Sequence, residues 1–272
     1  MQLAIETTGR QGSVALLDRD AVIAFANLPS QHRTAMMLAP EIKRLMESAE
    51  INPDAVKLVS VAIGPGSFTG LRVGVTTAKT LSFAWEIPLV AVGSLAAIAA
   101  ETFRCHSAAN QICVAIEAYR GQAYTADFAR EDFLGDQVCD RVLAASAIDR
   151  KELRTVGIMS GGKIGSESRQ DFRFVELPKL LASFATPLIV PTELNDQIAD
   201  RTGDVFTAGD QKLFSHPSNF LQRECDAIGV GILARRLAEH GQWSDSMTIA
   251  PTYLKPSAAE ENKSCAAEEK QQ

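Results

Sequence analysis

The chain has 272 residues, 46% of them apolar and 22% charged, with 27 Lys and Arg against 33 Asp and Glu for a net charge of −6. That composition reads as a globular protein with ample material for a core. The acid excess and the scattered basic residues argue against strong phosphate-backbone binding by this chain alone.

The first apolar run, Leu3-Ala4-Ile5-Glu6, reads as a buried strand ending in a carboxylate. After Gly12 a second strand fits Ser13-Val14-Ala15-Leu16-Leu17, and a third fits residues 21–26. A helix follows over 34–49, where Leu38, Ile42, Leu45 and Ala49 recur at helical spacing. Asn52-Pro53 breaks the chain before a strand at 58–63. The next segment, Gly64-Pro65-Gly66-Ser67-Phe68-Thr69-Gly70-Leu71-Arg72-Val73-Gly74, is the most informative in the chain. It stands between that strand and a helix carrying Leu71, Val75, Ala78, Leu81 and Trp85. A rigid loop opening a helix offers free N–H groups to an anion or to another backbone. No lysine follows Gly70, as a Walker A loop requires, and Thr69 stands where a dinucleotide fingerprint has its third glycine. Pro65 and Thr69 also break the Gly-x-Ser-x-Gly nucleophile elbow around Ser67. Spacing alone leaves open a ligand loop with Gly64, Gly66, Ser67, Thr69 and Gly70 as its donors, and a tight turn with no ligand.

The longest uncharged stretch, 87–100, contains Pro88 and Gly93 and falls short of the roughly 20 apolar residues that span a bilayer. It reads as a strand at 89–92 and the start of a helix ending near Arg104, so no membrane association is expected. The order βββαβαβα predicts a mixed sheet covered by helices. In the second half, Val114-Ala115-Ile116-Glu117, Gly121 and the run Gln122 to Asp127 echo the opening residues, which points to duplication. Strands fit 112–116, 123–128 and 155–159, with Gly161-Gly162 in the next loop, and helices fit 193–201 and 226–240. The pattern between Asp171 and Asn219 is uninformative, and 257–272 reads as a disordered tail.

Cys105, Cys113, Cys139, Cys225 and Cys265 are odd in number and form no C-x-x-C pair. No secretory signal opens the chain, so a reducing cytoplasm is expected. His32, His106, His216 and His240 form no metal-binding pair at local spacing, and only His32 adjoins a predicted functional helix.

Several motifs together resemble the TsaB (YeaZ) family. They are Leu3-Ala4-Ile5-Glu6-Thr7-Thr8, Gln31-His32-Arg33-Thr34 with Pro40, the glycine loop, Ala115 to Tyr124, and Pro251-Thr252-Tyr253-Leu254-Lys255. Glu6 and Glu117 replace the family's usual Asp. The resemblance implies the duplicated actin/Hsp70/sugar-kinase (ASKHA) fold, with two mixed-sheet lobes covered by helices. We expect lobes at 1–108 and 109–256, ahead of the tail. It also implies a non-catalytic scaffold that pairs with a TsaD-type paralogue to make N6-threonylcarbamoyladenosine in tRNA, beside the anticodon. A TsaE-type ATPase joins them, and tRNA is reached only through the complex; self-pairing is left open. The paralogue's H-x-x-x-H metal pair corresponds here to Ser94 and Ile98, so no metal, cofactor or catalytic residue is expected. The resemblance favours a partner face on the two helices 34–49 and 71–85, carrying Met36, Met37, Ile42, Gly70, Gly74 and Ala78. A stand-alone kinase of the same fold, and more remotely a metalloprotease-like protein, are the alternatives.

Overall fold

The computed structural model describes residues 1–9, 11–29, 34–107, 110–117, 122–134, 154–157, 205–209, 220–222 and 224–253. The first half follows the predicted order. It runs β1 (Gln2–Glu6), β2 (Ser13–Asp18), β3 (Ala21–Asn27), α1 (Thr34–Ser48), β4 (Leu58–Ala62), α2 (Phe68–Trp85), β5 (Leu89–Val92) and α3 (Ser94–Cys105). The strands form one sheet in the order β3-β2-β1-β4-β5. β1–β2 and β2–β3 are antiparallel, while β1–β4 and β4–β5 are parallel. Both β1 and β4 are buried along their whole length, with no polar alternation. Central strands covered by helices on both faces require this pattern.

The second sheet repeats the plan. Its strands are β6 (Gln111–Glu117), β7 (Gln122–Ala129), β8 (Arg154–Gly157), β9 (Val205–Gly209) and β10 (Phe220–Gln222), with a short helix α4 (Glu131–Leu134) after β7. Read from β8 the order is β8-β7-β6-β9-β10, with the same antiparallel and parallel neighbours as the first sheet. Glu117 opposes Ala123 where Glu6 opposes Ser13, so the two strand-end carboxylates are equivalent in register. The duplicated α/β fold is therefore present. β9 lies inside the stretch where the sequence pattern was silent. The predicted glycine pair at 161–162, the helix at 193–201 and the tail at 257–272 lie outside the described residues.

The expected boundary at 108/109 falls between the two sheets, and the helices that cover them come from across it. The last described helix, α5 (Ala227–Glu239), packs on β1, β2, β4 and β5 of the first sheet, while α3 packs on β6, β7 and β9 of the second. The two helices also pack on each other. Gly229 of α5 makes the crossing close: a Cβ there would drive into the Ala97 carbonyl. This helix thus completes the core begun by the first strands, with Val230, Leu233 and Ala234 buried in the same cluster as Leu3, Ile5 and Leu17.

Inward-facing residues on α1 are Leu38, Glu41, Ile42, Leu45 and Met46, close to the predicted stripe, and Pro40 stands within the helix. Glu41 is buried but forms a two-oxygen pair with Arg44, which satisfies its charge at the rim. On α2 the inward residues are Gly70, Leu71, Gly74, Val75, Ala78 and Ser82.

Candidate functional site

The glycine loop closes onto the turn that follows β1. Ser67 ends the loop as the cap of α2: its Oγ accepts from Gly70 N at 3.2 Å, so the helix starts at Phe68 rather than at the predicted Leu71. The Ser67 N–H donates to the Thr8 carbonyl at 2.8 Å, and Thr7 Oγ1 donates to the Gly70 carbonyl at 2.8 Å. Glycine is required by this approach. A Cβ at position 70 would fall far inside contact with the Thr7 carbonyl, and one at position 66 would lie 2.5 Å from the Thr8 carbonyl. Gly74 meets Thr7 Oγ1 in the same way. On the other side Ser94 N donates to the Gly64 carbonyl at 2.8 Å, and Thr252 N donates to Ile63 O at 2.8 Å. Of the five loop candidates, Gly66, Ser67 and Gly70 are drawn together around Thr7 and Thr8, Gly64 lies instead against Thr252 and Leu71, and Thr69 faces solvent.

Beneath the loop lies a closed polar cluster. Glu6 is fully buried, and its Oε1 accepts from Thr8 N, from Thr8 Oγ1 at 2.6 Å and from Gly9 N at 3.0 Å. Among the described residues its Oε2 has no hydrogen-bond partner. Burial pushes the Glu6 carboxyl up to about 7, against the lowering effect of its bonds from Thr8 and Gly9, and the nearby Asp226 carboxylate adds to the rise. Ser94 Oγ donates to Thr8 Oγ1 at 3.1 Å, and Asp226 caps α5 through Gly229 N at 2.8 Å. Cys225 completes the cluster. Burial first, then the charges of Glu6 and Asp226, holds its thiol well above the usual range, so it stays protonated and is a poor nucleophile at neutral pH. Ser94 and Ile98 offer one hydroxyl already engaged and one alkyl group in the core, so this pair does not fit a metal ion.

The predicted partner face divides in two. Met36 is 66% exposed and Met37 is partly exposed, so α1 does present both to solvent. Ile42, Gly70, Gly74 and Ala78 do not; all four are buried within this chain. Gly70 and Gly74 of the small-residue stripe do make a close approach, to the chain's own residue Thr7. That contact spans about sixty residues of sequence, beyond any local pattern. The outward stripe of α2 is Arg72, Thr76, Thr80 and Phe83, the last 73% exposed.

The sequence reading also missed a strap formed by residues 244–253. Ser244 bridges the edge of β5, with its N donating to Leu89 O at 2.8 Å and its Oγ accepting from Ala91 N at 2.9 Å. Lys79 of α2 donates to the carbonyls of Met247 and Ile249 at 3.0 and 3.1 Å. Tyr253 then reaches the glycine loop, with its ring centroid 4.5 Å from that of Phe68. The motif around Tyr253 was visible in the sequence, but its place against α2 was not. His32 lies outside the described residues.

Comparison with known proteins places this geometry. The profile of the family described as TsaD: tRNA N6-adenosine threonylcarbamoyltransferase matches residues 29–263. The chain is 37% identical over 138 residues to the tRNA threonylcarbamoyladenosine biosynthesis protein TsaB of Bacillus subtilis, covering 50% of this chain and 58% of that protein. It is 29% identical over 168 residues to the protein of the same name from Haemophilus influenzae, covering 57% and 70%. The chain thus spans less than two thirds of the Bacillus relative. Among solved structures, YeaZ from Pseudomonas aeruginosa shares the fold with a TM-score of 0.60, at 21% identity over 93% of this chain and 98% of that one. Among the described residues, no helix is long and apolar enough to cross a membrane.

Proposed function

Because this chain belongs to the TsaD family and, within it, to the TsaB (YeaZ) group, we propose that it is a non-catalytic scaffold subunit. It pairs with a TsaD-type paralogue that modifies the tRNA adenosine beside the anticodon to N6-threonylcarbamoyladenosine. The setting is the cytoplasm, a TsaE-type ATPase joins the assembly, and tRNA contacts this chain only through the complex. Self-pairing through the same helices is the competing assembly.

The single observation that carries this reading is the closure of the glycine loop on Thr7 and Thr8. At Gly66 and Gly70 the loop lies directly against the chain's own backbone, the Ser67 N–H is taken by the Thr8 carbonyl, and Ser67 serves as a helix cap. The carboxyl beneath it is fully buried, which argues against its exchanging a proton with a substrate from solvent. Outside the loop, α1 and α2 lie side by side and expose Met36 and Phe83, apolar groups that no core contact needs.

The test is co-purification with the TsaD-type paralogue of the same organism, with the mass of the complex measured by light scattering. A stable heterodimer is expected. Met36→Glu should weaken it by about tenfold or more with an unchanged melting temperature, because Met36 is on the surface. Substrate-dependent ATP turnover by the isolated chain, with no association, would instead favour the kinase reading.

A further inference from the structure

The second helix of the exposed pair carries two cations, Arg72 and Lys79, and no carboxylate, in a chain whose net charge is −6. Lys79 is turned back onto the strap carbonyls. Arg72 is exposed and held differently. Its guanidinium lies 4.1 Å from the centroid of the Phe68 ring and 5.7 Å from that of Tyr253, and its Nε donates to the Tyr253 hydroxyl at 2.8 Å. Among the described residues, neither terminal nitrogen of Arg72 meets an acceptor.

An exposed arginine ordinarily loses rotamer freedom when it forms an ion pair, which offsets most of the gain. Arg72 is already ordered by the ring beneath it and the phenol beside it, so that cost is largely absent. Its unused edge is the planar fork that matches a carboxylate through two parallel hydrogen bonds. Arginine and aromatic side chains are also the groups on which interface energy concentrates. Along the same stripe Thr76 and Thr80 leave a low surface, and Phe83 ends it about 16 Å from Arg72 at the helical rise of 1.5 Å per residue. That span is three turns, the length over which one partner helix can lie against α2.

We infer that Arg72 is a preformed ion-pair anchor that takes an acidic side chain of the partner protein when it docks along α2. The inference rests on the pairing proposed above. A protein carboxylate is favoured over an RNA phosphate because α2 carries only two cations, one of them turned onto the strap, in an acidic chain, whereas phosphate-backbone binding needs several.

The experiment measures the dissociation constant for the TsaD-type paralogue at low and high salt, with the melting temperature of every variant. Arg72→Ala and Arg72→Lys should each weaken pairing about tenfold or more, since lysine lacks the fork, and Arg72→Ala should flatten the salt dependence. Tyr253→Phe, which keeps the ring contacts and loses only the hydrogen bond to Nε, should weaken pairing by clearly less than Arg72→Ala. Wild-type affinity in Arg72→Ala would overturn the inference while leaving the pairing intact. Equal loss in Tyr253→Phe and Arg72→Ala would also overturn it, because Arg72 would then be a pin for the strap. Loss of tRNA affinity by the assembled complex with pairing unchanged would overturn it in favour of an RNA contact. If the wild-type chain does not bind the paralogue at any salt concentration, the pairing itself falls and this inference with it.

Discussion

Gly70→Ala should cost the fold on the order of 3–5 kcal/mol, among the largest effects of any single methyl group in this protein. The added carbon would press into the Thr7 carbonyl, a backbone atom that cannot rotate away, and would also part Thr7 Oγ1 from the Gly70 carbonyl it now bonds. Gly74→Ala supplies the comparison, because its clash is with the Thr7 hydroxyl, a side-chain atom. Adding Thr7→Ala should therefore recover much of the stability lost in Gly74→Ala and none of that lost in Gly70→Ala. Urea unfolding of the two single and two double variants measures the difference. Equal rescue in both pairs would mean that the loop shifts as a unit and that the backbone contact is not the constraint.

Glu6→Gln should produce the second large effect, visible only as a function of pH. The Glu6 carboxyl sits at about 7 in the folded protein against an ordinary value of 4.5. Between those two values the folded state holds a proton that the unfolded chain has released, so the wild type loses stability as pH rises through that window. Above it the loss is complete, on the order of 3 kcal/mol. Glutamine keeps an oxygen for the three donors that converge on Oε1 and never ionises. The variant should match the wild type near pH 5 and exceed it near pH 8, with the gap opening between. Parallel stability curves across that range would show that Glu6 does not carry the proton assigned to it.

Much of the first sheet was legible because its determinants are local. Leu3 to Glu6 and the run 58–63 are apolar without alternation, which marks strands covered on both faces, and Leu38, Ile42 and Leu45 announced the buried side of α1. The start of α2 was misplaced by three residues because Ser67 looked like a ligand donor, when its position three residues before Gly70 is that of a cap. Where sequence reasoning failed, the cause was distance along the chain. Nothing near Gly70 or Gly74 records that Thr7 lies against them, and nothing near Ala227 records that its helix belongs to the first sheet. The closed cluster of Glu6, Thr8, Ser94 and Cys225 likewise gathers residues from the two ends and the middle of the chain.

The exchange of covering helices also determines how this protein emerges from a ribosome. A nascent chain that has reached residue 107 has all five strands of the first sheet, but the face meant for α5 still carries exposed leucine and isoleucine. That face cannot close until residues 227–239 leave the exit tunnel, after more than a hundred further residues have been added. The first lobe is therefore not a unit that folds while its sequel is being made, and the half-made sheet is a natural client for chaperones. Cutting the gene at the boundary between the sheets would yield two fragments, each lacking a wall, that become stable only when expressed together.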